Sequence, residues 1–203
     1  MDQKERFTEI FEKNLFGGKS SRSGEGSSLE QTEVIRLELP KVFEQFSIKS
    51  ILDAPCGDWN WMKEIDLAGI NYIGMDIVDK IILDNQNKYQ KKTINFKIQN
   101  LIEDDLPKVD LILCRDCLQH LTYENIFKTI NNFKRSGSKY LLTTNFPRFE
   151  KNYDLVEKDI WRALNLNKEP FNFKTPILSI MEREVGHPYF NKNLDMWLIN
   201  ELS

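Results

Sequence analysis

Hydrophobic positions in the first 48 residues recur at helical steps. Phe7, Ile10, Phe11 and Leu15 fall on one face, which predicts a short amphipathic helix over residues 3–15. Val34, Ile35, Leu39, Val42, Phe43 and Phe46 continue the same spacing and predict a second helix over residues 29–46, with Pro40 expected to break or kink it. From Ser50 the period changes. Short apolar or alternating runs at 50–53, 71–76, 93–98, 109–114 and 139–144 read as strands, and helical patterns lie near 59–66, 79–90 and 122–134. Strands alternating with helices make βαβ units. Right-handed crossovers then build a mostly parallel α/β sheet with helices on both faces. Residues 147–175 carry Pro147, Pro170 and scattered aromatics without a strong period, so a loop-rich insertion with a short helix near 154–164 is expected. Runs at 176–182 and 194–200 read as two last strands. No long helix separates them, which predicts an antiparallel hairpin at one sheet edge.

Composition sets outer bounds. The 203 residues, 40% of them hydrophobic, suit one domain with a real core. Its expected parts are N-terminal helices with a Gly/Ser-rich loop (1–48), a core of βαβ units (49–146) and a loop with a terminal strand pair (147–203). Lys and Arg total 28 against 31 Asp and Glu, a net charge of −3. No section has a large basic excess, so nucleic acid is not the expected partner. No run reaches the roughly 18 apolar residues of a membrane span. The N-terminus is charged and lacks an apolar signal region. A soluble, cytoplasmic protein without membrane insertion is expected. Cys56, Cys114 and Cys117 are odd in number and have no framework spacing, which fits a reducing compartment.

In open α/β sheets ligands bind beyond the carboxyl ends of the strands, so the residues there carry the candidate chemistry. After the first strand comes Asp53-Ala54-Pro55-Cys56-Gly57-Asp58-Trp59. It is either an ordinary βα turn or a small-residue loop that lets backbone approach a ligand. The three-glycine dinucleotide fingerprint is absent, because only Gly57 is a glycine. Asp76 ends the second strand and can accept from both hydroxyls of a ribose, or simply be solvated. Asn100 and Leu101 follow the third strand, where an amide can read an adenine. Cys114-Arg115-Asp116-Cys117-Leu118-Gln119-His120-Leu121 follows the fourth. Its C-x-x-C lacks a thioredoxin-type setting. With only His120 and His187 besides the cysteines, and no zinc spacing, no metal is expected. The stretch at residues 17–28 is either a flexible linker or a loop that orders over a ligand, with serine hydroxyls and Arg22 as donors.

The ordered set 51–58, 72–77 and 109–114 with its polar tail resembles a class I S-adenosylmethionine-dependent methyltransferase, over about residues 48–146, and the two last strands match that family's terminal hairpin. More narrowly, residues 24–29, 114–121, 141–147 and 161–166 are similar to a bacterial subgroup linked to capsule and surface-polysaccharide synthesis. The resemblance implies S-adenosyl-L-methionine as cofactor. Asp53, Ala54, Pro55, Cys56, Gly57, Asp58 and Trp59 would wrap its methionine part. Asp76 would hold the ribose hydroxyls, Ile77 would flank the adenine, and Asn100 and Leu101 would lie beside it. Cys114 and Arg115 would line the methyl group, and residues 24–28, with Ser27 and Ser28, would close over the cleft. The chain departs from the family in two places. Trp59 stands where the last glycine of the first loop is usual, and would either pack on the ligand or constrain the loop, and Asn100 replaces a commoner Asp.

Methyl transfer from a sulfonium is an in-line displacement that rewards alignment, and a hydroxyl nucleophile also gains from a base. Asp116 and His120 are the candidates for base or substrate orientation, and His120 is also readable as a structural residue at a helix start. Arg115, Arg148 and Arg162 are candidate clamps for an anionic substrate, each equally readable as a salt-bridge residue. Phe149, Tyr153, Trp161, Phe171 and Phe173 either wall an acceptor pocket or cover the sheet. The expected acceptor is a small molecule or glycan precursor, methylated on a hydroxyl or phosphate-type oxygen. The competing readings are a non-catalytic S-adenosylmethionine-binding module and a nucleotide-linked oxidoreductase.

Overall fold

A computed structural model describes residues 2–156, 159–182 and 191–202. The chain forms two compact units, Met1–Asp104 and Asp105–Ser203. The first opens on α1 (Gln3–Glu12), capped by Asp2, whose side chain accepts from the Lys4 amide. The helix ends before the expected Leu15, because Asn14 takes a left-handed φ of 50°. Phe11 meets Val78 and Ile81, with Phe7 and Ile77 packed around them. Next, α2 (Glu33–Gln45) runs through Pro40 without breaking. An internal proline costs a helix about 3 kcal/mol. Here Ile35, Leu39, Val42 and Phe43 bury one face, at about 1.5–3 kcal/mol each, and that outweighs it.

Three strands of the first unit, β1 (Ser50–Asp53), β2 (Asn71–Asp76) and β3 (Ile94–Ile98), pair in parallel. Their registers set Asp53 opposite Gly74 and Asp76 opposite Ile98. After β2, α3 (Asp79–Tyr89) turns Ile81, Ile82 and Asn85 inward. The helical pattern near 59–66 yields only a single 3-10 turn at Met62–Glu64. Trp59 sits at φ 57°, outside helical space, so no first helical turn nucleates there.

The second unit contains β4 (Leu111–Cys114), α4 (Tyr123–Ser136), β5 (Tyr140–Asn145), β6 (Leu178–Met181) and β7 (Asn193–Leu198). Thr122 caps the start of α4, and Gly137, at φ 67°, ends it in the left-handed conformation that glycine adopts freely. β4 and β5 are parallel, and β7 runs antiparallel to both β5 and β6. The expected hairpin is present, but its second strand lies inside and β6 takes the edge. The strands follow the order β3-β2-β1-β4-β5-β7-β6 in one mixed, Rossmann-like sheet.

No helix forms at the described residues near 154–164; Glu157 and Lys158 lie outside the described residues, as does His187. Asparagine side chains organise this segment instead. Asn165 donates to the carbonyls of Pro147 (3.0 Å) and Phe149 (2.7 Å). Asn152 donates to those of Asn165 and Glu169, both at 2.8 Å. Asn145, ending β5, donates to Asp195 (2.7 Å) and Asn167 (3.0 Å) and accepts from the Leu166 amide. These amides satisfy buried backbone groups that a helix or strand would otherwise satisfy.

Candidate functional site

In the first unit, the loop after β1 and the end of β2 hold each other. The Cys56 amide donates to the Met75 carbonyl at 2.7 Å. The Gly57 amide donates to Asp76 Oδ2 at 3.2 Å, and the Val78 amide to Oδ1 at 3.0 Å. Asp76 is buried, and burial pushes its carboxyl up to about 6 against the pull of these amide donors. Asp53, also buried, accepts from Tyr72 Oη at 2.5 Å. Pro55 follows a cis bond from Ala54. Gly57 has φ 53°, and a Cβ there would lie 2.3 Å from Ser23 Oγ. Cys56 is buried, and burial, with Asp76 and Asp53 nearby, drives its thiol well up, so it is a poor nucleophile. Asn85, which the sequence reading missed, donates to the Gly57 carbonyl at 2.8 Å. Its signal is an amide in register with Ile81 and Ile82 on the apolar face of α3.

Trp59 turns into a ring cluster with Tyr72, Tyr89 and Phe96, at centroid distances of 5.6, 4.9 and 5.3 Å. The bulky residue in the glycine's place is thus a buried anchor for the loop. Asp58 is the other anchor. It accepts from Ser21 Oγ (2.9 Å), the Arg22 amide (2.9 Å) and Ser23 Oγ (3.3 Å), while Ser23 Oγ accepts from the Asp58 amide. Arg22 donates through Nη1 to the Phe11 and Glu12 carbonyls at the end of α1, so its guanidinium is a helix cap. Asn60 donates to the Ser27 carbonyl at 3.0 Å. Ser27 and Ser28 are buried, and Ser28 Oγ accepts from the Gln31 amide. The Gly/Ser-rich stretch is therefore docked on the β1 loop, which excludes the flexible-linker reading. Beyond β3, Asn100 closes a local turn, accepting from the Ile102 amide and donating to Glu103. Leu101 and Ile77 are half-buried.

In the second unit, Cys114 is buried at the end of β4 and its carbonyl accepts from Thr143 Oγ1 at 2.6 Å. Arg115 turns its guanidinium onto Glu182, 2.6 Å at the shorter contact, and lies 3.1 Å from Asp116. It is not disposed as an open clamp. Asp116 also accepts from Lys192 Nζ at 2.6 Å. Burial opposes its ionisation, but Arg115 and Lys192 outweigh that and hold the carboxyl well below the usual range. Asp116 is accordingly a weak proton acceptor. His120 Nδ1 lies 2.5 Å from the Ile160 carbonyl, an acceptor only, so Nδ1 carries a proton there. Glu182 and Lys192 escaped the sequence reading. Their one signal is position, flanking the last strand pair, and charge at such places is ordinary.

Arg162 is fully buried and donates to the Tyr153 and Gln119 carbonyls, both at 2.9 Å, so it fastens the 147–175 segment. Arg148 is exposed. Phe171 packs on Tyr123 and Phe127, and Phe173 on Trp197, so these two cover the core, while Phe149, Tyr153 and Trp161 remain exposed. Among the described residues no three His, Cys, Asp or Glu side chains group to hold a metal, and no helix is long and apolar enough to cross a membrane.

No family profile matches the chain. It is 26% identical over 106 residues to a ubiquinone biosynthesis O-methyltransferase of Hydrogenovibrio crunogenus, a match covering 49% of this chain and 43% of the relative. The chain thus spans under half the length of that curated relative. Among solved structures it is similar to magnesium protoporphyrin IX methyltransferase of Synechocystis with bound S-adenosylmethionine. That match has 18% identity and a TM-score of 0.62, over 98% of this chain and 97% of the other. It is also similar to 1,6-didemethyltoxoflavin-N1-methyltransferase of Burkholderia thailandensis, at 12% identity and a TM-score of 0.62, over 96% and 86%. The fold is that of class I S-adenosylmethionine-dependent methyltransferases.

Proposed function

We propose that the protein is an S-adenosylmethionine-dependent methyltransferase acting on an oxygen of a small or glycan-linked acceptor. The observation that supports this best is the coupling of Gly57 to Asp76. A buried carboxylate at the end of β2 takes backbone amides from Gly57 in the β1 loop and from Ile77 and Val78. Such a group keeps acceptor capacity for a hydroxyl donor, so the residues present fit a ribose. Residues 53–59 would then hold the methionine part, with Ile77, Asn100 and Leu101 at the adenine and Ser27 and Ser28 on the covering loop. The likeness of residues 24–29, 114–121, 141–147 and 161–166 to a surface-polysaccharide subgroup supports a glycan-linked acceptor.

The cofactor, when bound, supplies an electrophilic methyl carbon on a sulfonium. The chain's task is to align the acceptor oxygen with it and to receive any proton released. With Asp116 held ionised, His120 is the candidate left for the proton, and Asp116 is left to orient. Calorimetry with S-adenosylhomocysteine is the test. Binding is expected, with an affinity loss of about tenfold or more in Asp76→Ala, the scale of a lost charged hydrogen bond. No heat at millimolar ligand, with no shift in Tm, overturns the reading. Binding without methyl transfer across a broad acceptor panel favours the non-catalytic module.

A further inference from the structure

Arg162 is wholly buried, and the short run of chain it belongs to grips His120 from two sides. The Arg162 amide donates to the Gln119 carbonyl at 3.1 Å, and Nη1 donates to the same oxygen at 2.9 Å. Nε donates to the Tyr153 carbonyl at 2.9 Å. Two residues earlier in the chain, the Ile160 carbonyl meets His120 Nδ1 at 2.5 Å. Gln119 and His120 end a single 3-10 turn, Leu118–His120, and the His120 amide donates to the Cys117 carbonyl at 2.9 Å. Residues 160–162 therefore hold both the peptide before the histidine and the histidine ring.

Packing alone does not account for this arginine. Its Nη2 has no hydrogen-bond partner among the described residues and lies 3.8 Å from Asp154 Oδ1, on a side chain that is 48% exposed. The guanidinium carbon sits 5.5 Å from the centre of the Tyr123 ring, and burial pulls its pKa below the ordinary arginine value. A buried charge with incomplete partners costs stability that an apolar residue of similar volume would not. An apolar residue cannot supply two bonds to one oxygen. A carbonyl has two lone pairs, and Arg162 takes both at Gln119. That fixes the peptide plane leading into His120, and with it the direction in which the ring leaves the backbone.

The hydrogen bond made by one ring nitrogen of a histidine decides where the proton of the neutral ring sits. A carbonyl only accepts, so a neutral His120 in this position carries its proton on Nδ1. Free imidazole side chains favour the other form, with the proton on Nε2. We propose that Arg162 is a positioning residue that acts through His120. By fixing the Gln119 peptide and the 160–162 run, it holds the neutral histidine in the Nδ1–H form, so that the ring takes up a further proton on Nε2 alone. This deepens the methyltransferase reading, which leaves His120 for the proton, and rests on that reading for its catalytic consequence. The clamp itself lies wholly within the second unit.

The test is nitrogen-15 NMR of the full chain at alkaline pH, past the end of the imidazole titration. The sequence has two histidines, and His187→Asn leaves His120 as the one imidazole signal. In that background the Nδ1–H form is expected to exceed the Nε2–H form several-fold. Adding Arg162→Met should lower the ratio about tenfold, the scale of one lost hydrogen bond. Arg162→Lys keeps the charge and one donor and should lower it less, and it carries the test should Arg162→Met not fold. Asn152→Ala is the control for a merely structural role. Asn152 bonds the Asn165 and Glu169 carbonyls of the same segment, so its loss should lower Tm and leave the ratio unchanged. An Nε2–H form that dominates with Arg162 in place overturns the proposal. So does a ratio that both Arg162 variants leave unchanged, or one that Asn152→Ala lowers as much as Arg162→Met. No cofactor enters the measurement, so failure of S-adenosylhomocysteine to bind, seen by calorimetry, defeats the methyltransferase reading and leaves the clamp standing.

Discussion

Asp76 and Gly57 show how much one residue decides. Burial pushes the Asp76 carboxyl up to about 6, so acid near neutrality turns a charged hydroxyl acceptor into a neutral acid. S-adenosylhomocysteine affinity is expected to fall about tenfold by about pH 5. Calorimetry across pH checks this, and Asp76→Asn should flatten the profile. Without ligand the sign reverses. The folded carboxyl lies above the ordinary value of 3.8, so the folded state binds the proton more readily. The Asp76 contribution to stability therefore rises as pH falls through about 6 and is lost as pH rises through it. Gly57 combines a left-handed φ with the close approach of Ser23. Gly57→Ala should cost about 1–2 kcal/mol in chemical denaturation, from backbone strain alone, and more if Ser23 cannot turn aside. Both residues were legible from their places at strand ends. For Trp59 the sequence left two roles open, packing on a ligand or constraining the loop, because the partners that decide for the loop, Tyr72, Tyr89 and Phe96, lie on three other elements.

At the scale of elements, the docked stretch before α2 depends on one acceptor. Asp58 takes Ser21, the Arg22 amide and Ser23. Asp58→Ala should therefore speed amide exchange at residues 21–23 while leaving exchange within α4 unchanged. Each lost bond to a charged acceptor accounts for about 1.5–3 kcal/mol of local stability. Unchanged exchange at 21–23 would show that other contacts hold the stretch. Most regular elements could be read from periodicity, which neighbouring residues carry. The expected helix near 59–66, and the one near 154–164 at its described residues, fail for reasons periodicity cannot carry. One is stopped by the backbone angle of Trp59. The other is replaced by asparagine bonds to distant carbonyls, such as Asn152 to that of Glu169.

At the scale of the whole molecule, a ligand that binds only the folded chain raises its stability by about 2.7 kcal/mol at a hundredfold excess over Kd. For about 200 residues this is a Tm rise on the order of 5–11 °C, and calorimetric scanning with S-adenosylhomocysteine measures it. The sequence by itself determined the alternation of strands and helices, the parallel core with its antiparallel end, and the strand-end positions of Asp53, Gly57, Asp76 and Asp116. These follow from hydrophobic period and turn chemistry, which act over a few residues. Only the tertiary structure decided which charges meet. Arg115 finds Glu182 67 residues away, and Asp116 finds Lys192 76 residues away. Such pairing depends on where the chain returns, and local patterning does not encode it.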